Sequence, residues 1–148
     1  MEEIAGVIGG LRDVEMALFS WLGRTAPALG CAGEVTWASG ASLDAAWRAA
    51  QLEQLLPVSA GLPSAQAASV WTAVSAGLQT LDSFVPSGEP SEVPRLAAQW
   101  YAALLDAYRH RLGLISPAAD GALERVLQRL VADLEVENGR CEAFGSSW

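Results

Sequence analysis

Apolar residues recur every three to four positions along most of the chain, which predicts amphipathic helices. Over residues 2–22, Ile4, Val7, Ile8, Leu11, Leu18 and Leu22 share one face, and Gly23 with Pro27 marks the stop. After a Gly- and Ala-rich stretch at 25–33, Trp37, Ala38, Ala41, Ala45, Ala49, Leu52 and Leu56 trace a second helix ending before Pro57. Gly40 and Ser42 offer a second start for it. Loop 58–63 leads to Ser64 as N-cap of a third helix with the stripe Ala67, Trp71, Val74, Leu78, Leu81 and Val85. Pro86, Gly88 and Pro90 form the clearest linker. Ser91 then caps a fourth helix with Pro94 in its first turn, where a missing N–H does no harm; its stripe is Val93, Leu96, Ala97, Trp100, Ala103, Leu104, Ala107 and Leu114. Ser116 and Pro117 restart the chain as N-cap and first helical residue. A fifth stripe of Leu123, Val126, Leu127, Leu130, Val131 and Leu134 fades near Gly139. No strand-like alternation competes. Short connections between helices of this length predict an all-α, up-down helical bundle of four to five helices, one domain over 1–148.

If the stripes are core, the ionisable residues inside them carry the information, because burying a charge costs several kcal/mol unless it is paired. At ~100° per residue, Glu15 falls about 20° from the line through Ile4 and Leu22, flanked by Leu11, Leu18 and Phe19. Arg111 falls between Trp100 and Leu104, and His110 on the same arc near Ala103 and Leu114, with Asp106 one turn before it. Asp82 lies beside Trp71 and Leu78, Arg48 at the edge of the Ala45–Leu52 stripe, and Glu137 at an edge of the fifth helix. One reading pairs Glu15 with Arg111 as a buried ion pair that fixes helix register. The other lets the cluster line a cavity, with Glu15 and His110 moving a proton and Arg111, Asp82, Arg48, Trp71 and Trp100 contacting the ligand. Trp71 and Trp100 serve equally as core anchors. Trp47 projects away from its stripe and marks a contact surface if exposed.

Composition narrows the partners. The chain is 51% hydrophobic and 18% charged, with a formal charge of −8, and its nine basic residues are all arginine. No cationic track is available to follow a phosphate backbone, so nucleic acid is not expected. No run is long and apolar enough to span a membrane, and the start Met1-Glu2-Glu3 lacks the basic and apolar regions of a signal peptide, so a cytoplasmic protein is expected. Cys31 and Cys141 are too few for a disulfide framework or a zinc site, and reduced thiols are expected. A Gly-rich phosphate loop and a Gly-x-Ser-x-Gly elbow are both absent.

The run Leu11-Arg12-Asp13-Val14-Glu15, with its inward glutamate, and the helix-two ending Trp47-Arg48-Ala49-Ala50-Gln51-Leu52 through Leu55-Leu56-Pro57 resemble bacterial ferritin-like proteins of unassigned role, over most of the chain. The resemblance implies a ferritin-like bundle in which carboxylates and histidines on four helices hold two metal ions. This chain departs from that pattern. The family's site needs two Glu-x-x-His pairs, whereas the single histidine is His110 with alanine at 107, and helix two has Ala50 before Glu53 and no histidine. A metal-free protein without cofactor is expected, Arg48 and Arg111 supplying positive charge where metals would sit. Two functions follow. One is a cofactor-independent lyase, isomerase or cyclase handling a small hydrophobic or anionic molecule in a Trp/Leu/Ala-lined cavity. The other is a non-catalytic interaction or scaffold protein acting through homodimer or partner contacts. An open cavity beside Glu15 marks the first, a closed ion pair the second.

Overall fold

The structure, a computed structural model, describes residues 2–56 and 72–146. They form α1 (Glu2–Thr25), a 3-10 turn (Ala26–Ala28), α2 (Ala32–Glu53), α3 (Thr72–Ser83), α4 (Glu92–Gly113) and α5 (Pro117–Ser146). The all-α expectation holds: the described residues contain no strand. None of their helices is long and apolar enough to cross a membrane. Ser64 as N-cap, Ala67 and Trp71 lie outside the described residues. The chain divides into two compact units, Met1–Ala28 with Val35–Val85, and Leu29–Glu34 with Pro86–Trp148.

In the first unit, three polar ties run between α1 and the part of α2 that belongs to it. Arg12 pairs with Glu53 at 2.6 Å, Arg48 with Glu15 at 2.9 Å, and the Ser42 hydroxyl donates to the Phe19 carbonyl at 2.8 Å. The α2 partner moves back along the chain as the α1 partner moves forward, so the two helices are antiparallel. Ile8, Leu11, Val14, Leu18, Trp21 and Leu22 of α1 are buried, as are Ala38, Ala41, Ala45, Ala49 and Leu52 of α2. Gly23 does not stop α1, which continues to Thr25. A Cβ there would stand 3.1 Å from Ser42 Oγ, so the glycine makes room for that hydroxyl. Neither Gly40 nor Ser42 starts a helix; α2 begins at Ala32 and runs through both. At the other end of α1, Trp21 meets Phe84 edge-to-face at 5.8 Å, and Arg24 donates to the Leu81 carbonyl at 2.6 Å, tying α1 to the end of α3. Val85 follows α3 and is exposed, so it does not extend that helix's stripe.

The second unit is built on α4 packed against α5, joined by three residues. Buried positions on α5 are Leu123, Leu127, Leu130, Leu134, Glu137 and Cys141, spaced four and three in alternation, and those on α4 include Pro94, Ala97, Tyr101, Leu104 and Tyr108 in the complementary rhythm. This is the seam of a helical hairpin packed in coiled-coil fashion. The seam explains why α5 continues past Gly139 instead of fading there. It also corrects the face of α4. Tyr101, Leu105 and Tyr108 are core, while Leu96 and Trp100 are only half-buried and Ala103 and Leu114 exposed. Tyrosine carries enough apolar ring to anchor a core, and centring the stripe on the two tyrosines turns the helix away from the arc that Trp100 and Leu114 define.

Ser91 precedes α4 as its N-cap, but in the left-handed region (φ 62°), and its side chain makes no capping bond. Its N–H donates instead to Glu34 Oε1 at 2.8 Å, and its hydroxyl to the Phe144 carbonyl at 3.1 Å. One residue thereby joins the first turn of α2, the start of α4 and the end of α5. The strain of a non-glycine residue at positive φ is held by these two bonds.

The corrected α4 face sets two leucines apart. Leu104→Ala removes a buried side chain and is expected to cost about 2–5 kcal/mol, whereas Leu114→Ala stays within ~0.5 kcal/mol. Urea denaturation of both variants checks this, and equal costs would contradict the placement of the seam.

Candidate functional site

The α2 positions Glu34, Ala38, Ala41, Ala45, Arg48 and Leu52 repeat at intervals of four and three, and all six are buried. Two of them are charged. Arg48 was expected at the edge of its stripe but lies in the middle of it, and its Nε donates to Glu15 Oε1 at 2.9 Å. Both side chains are 0% exposed. Glu15 therefore points inward as the helical wheel indicates, and it pairs with Arg48, a residue of its own unit. Coulomb attraction at this distance in a dry interior offsets a large part of the desolvation of both ions, so the pair persists only while both members are present.

The other expected inward residues are distributed differently. Asp82, in the first unit, is exposed, because it follows the buried Leu81 by one residue and so turns about 100° from it. His110, in the second unit, is exposed and stands roughly 160° from the centre of the buried arc of α4. Arg111 sits at the edge of that arc, half-buried, with an Nε that is buried and has no hydrogen-bond partner among the described residues. Trp100 is half-buried, and Trp71 lies outside the described residues. Glu137 is buried on the α5 seam and is paired with Arg140 one turn on. Of the expected site residues, proton-moving Glu15 and ligand-contacting Arg48 meet, while Asp82, in the same unit, stays at the surface.

Glu34 is the buried charge that the stripe reading overlooks. Following the α2 rhythm one further turn toward the N-terminus reaches it, but the Gly- and Ala-rich run there masks the helix start. Besides holding Ser91, Glu34 lines an open cleft of ≈ 260 Å3 in the second unit, together with Cys31, Glu89, Glu92 and the backbone around Pro86 and Pro90. Glu92 is itself engaged, its Oε2 accepting the Ser87 N–H at 2.8 Å and hydroxyl at 2.9 Å. On the α5 seam, Cys141 is buried, and burial first, then the Glu137 and Glu142 carboxylates, raise its thiol from 9.0 to about 12.

No protein-family model, curated protein or solved structure matches this chain. The donor set can still be compared with the di-metal centre that a ferritin-like bundle implies. Among the described residues, no three of His, Cys, Asp and Glu come together to hold a metal ion. Glu15 is engaged by a cation, and the single histidine is at the surface. These residues do not fit such a centre.

Two outcomes follow from the buried groups. Glu15→Leu or Arg48→Met breaks the buried ion pair and is expected to cost about 3–5 kcal/mol, while the two replacements together recover most of that loss. Chemical denaturation of the four proteins of this cycle checks it, and additive losses would show that the pair is not coupled. For Cys141, the folded state keeps the thiol protonated where the unfolded chain ionises, so its contribution is lost as pH rises from 9.0 toward 12. The wild type is expected to lose up to ~1.4 kcal/mol more per pH unit in that range than Cys141→Ala. Parallel stability curves of the two proteins would contradict this.

Proposed function

We propose that this chain is a non-catalytic interaction protein that pairs with a second copy of itself, and that its buried charges serve the fold rather than a substrate. The observation that carries this reading is the buried Glu15–Arg48 pair, in which neither side chain reaches solvent. A carboxylate that moves a proton must be reachable by the group it serves, and a ligand would have to break this pair to reach Glu15. His110, the other candidate acid or base, is at the surface. The resemblance to ferritin-like bundles accords with the same reading, Arg48 standing beside Glu15 where a metal would otherwise supply positive charge. No metal or cofactor is needed.

The contact face is the outer side of α2. Leu43, Ala46, Trp47 and Ala50 occupy positions i, i+3, i+4 and i+7, a second apolar stripe opposite the inner one. Leu43 is 68% exposed, Ala50 is exposed, and Ala46 and Trp47 are half-buried. The stripe complements itself. Laid antiparallel across a two-fold axis, it sets Leu43 against Ala50 of the second copy and Trp47 against Ala46 of the second copy, large against small throughout.

Sedimentation equilibrium over a range of concentrations tests the pairing. The wild type is expected to dimerise, Leu43→Glu and Trp47→Glu to weaken the dimer at least ~10-fold, equivalent to about 1.4 kcal/mol, and His110→Ala to leave it unchanged. A wild type that stays monomeric at millimolar concentration, or a dimer insensitive to both glutamates, would overturn it.

A further inference from the structure

We propose that Cys31 and Cys141 are a redox pair, which a small-molecule disulfide such as oxidised glutathione converts to an intramolecular disulfide tying segment 29–34 to α5. They are the chain's two cysteines, and both belong to the second unit. Cys31 is half-buried, lines the open cleft and directly precedes the first residue of α2. Cys141 is on the buried seam of α5, one turn before Phe144.

Gly33 shows how close the two segments lie. A Cβ built on it would stand 3.8 Å from Cys31 Sγ and 3.8 Å from the edge of the Phe144 ring. The thiol and the ring are therefore within twice that distance of each other, with no side chain on Gly33 between them. Side chains on a helix lean toward its N-terminus and over the residues three and four positions earlier, so the Phe144 ring lies over the turn that carries Cys141. The Ser91 bonds to Glu34 and to the Phe144 carbonyl already hold the same two segments together through α4.

The reactivities divide the work. Cys31, reachable from the cleft, is the attacking group. Its thiolate displaces one glutathione thiolate, forming a bond between Cys31 Sγ and glutathione. Cys141 is shielded until the end of α5 frays beyond its last turn, back to residue 141, and lets its thiol ionise. It then attacks Cys31 Sγ, the Sγ–Sγ bond forms, and the second glutathione leaves. Two thiols have lost two protons and two electrons, and one glutathione disulfide has become two glutathione thiols. The bond fixes segment 29–34 against α5, and with it the Cys31 wall of the cleft.

The test is a time course of the intact chain with oxidised glutathione, followed by non-reducing peptide mass spectrometry. The expected sequence is a glutathione adduct on Cys31, then a Cys31–Cys141 peptide pair lacking two hydrogens, with a higher thermal midpoint that dithiothreitol reverses. Cys141→Ala should stop at the adduct, and Cys31→Ser should give no intramolecular product. Circular dichroism of both variants confirms that they remain folded. An adduct on Cys31 that never resolves, a disulfide only between chains, or no reaction at either thiol would each overturn the proposal.

Discussion

A carboxylate and a guanidinium enclosed away from water must face each other at hydrogen-bonding distance, and that requirement governs the first unit. Sliding α2 along α1 by a single residue would turn Arg48 or Glu15 out of reach of the other and break the buried pair. The apolar side chains around the pair tolerate such a shift far better, since alanine and leucine make contacts of similar strength in several registers. Burial of apolar area thus supplies most of the cohesion, and the ion pair selects one alignment among those that burial permits. Arg12 with Glu53 and Ser42 with the Phe19 carbonyl lie on either side of it and agree with that alignment.

The second unit solves the same problem by a different route. Its α4–α5 seam is mostly aliphatic and tyrosyl, so alignment is enforced where Ser91, in a backbone conformation unfavourable for serine, receives compensation from Glu34 and gives its hydroxyl to the end of α5. Cys141 and Glu137 sit on the portion of the seam nearest this junction. Chemistry that touches the junction therefore reaches the packing of two helices at once.

Much of the fold was legible because helical periodicity survives an alanine-rich composition: over the described residues the helices stand near their expected places, and the linker around Pro86 and Pro90 separates α3 from α4. What misled were residues with two meanings. Gly23 read as a stop and Gly40 as a second start, yet a helix accepts glycine at about 1 kcal/mol each, and at 23 the missing side chain admits Ser42. Tyr101 and Tyr108 are not part of the expected stripe of α4, yet their rings are buried in its core, and that rotation moves His110 to the surface. Glu15 was legible as inward from its own helix. Its partner was not, because a wheel assigns each helix a face but does not say which faces meet. Glu34 escaped notice because its bond to Ser91 joins positions 57 apart, a separation that no local pattern encodes.

The three ties between α1 and α2 also differ in how far apart their members lie along the chain. Ser42 and Phe19 are separated by 23 residues, Arg48 and Glu15 by 33, and Glu53 and Arg12 by 41. The innermost closes the smallest loop at the lowest entropic cost, and each contact leaves only a short extra span for the next to close. The two helices can therefore zip outward from the turn, so that the costly desolvation of Glu15 and Arg48 comes after their alignment has been set by a neutral hydrogen bond.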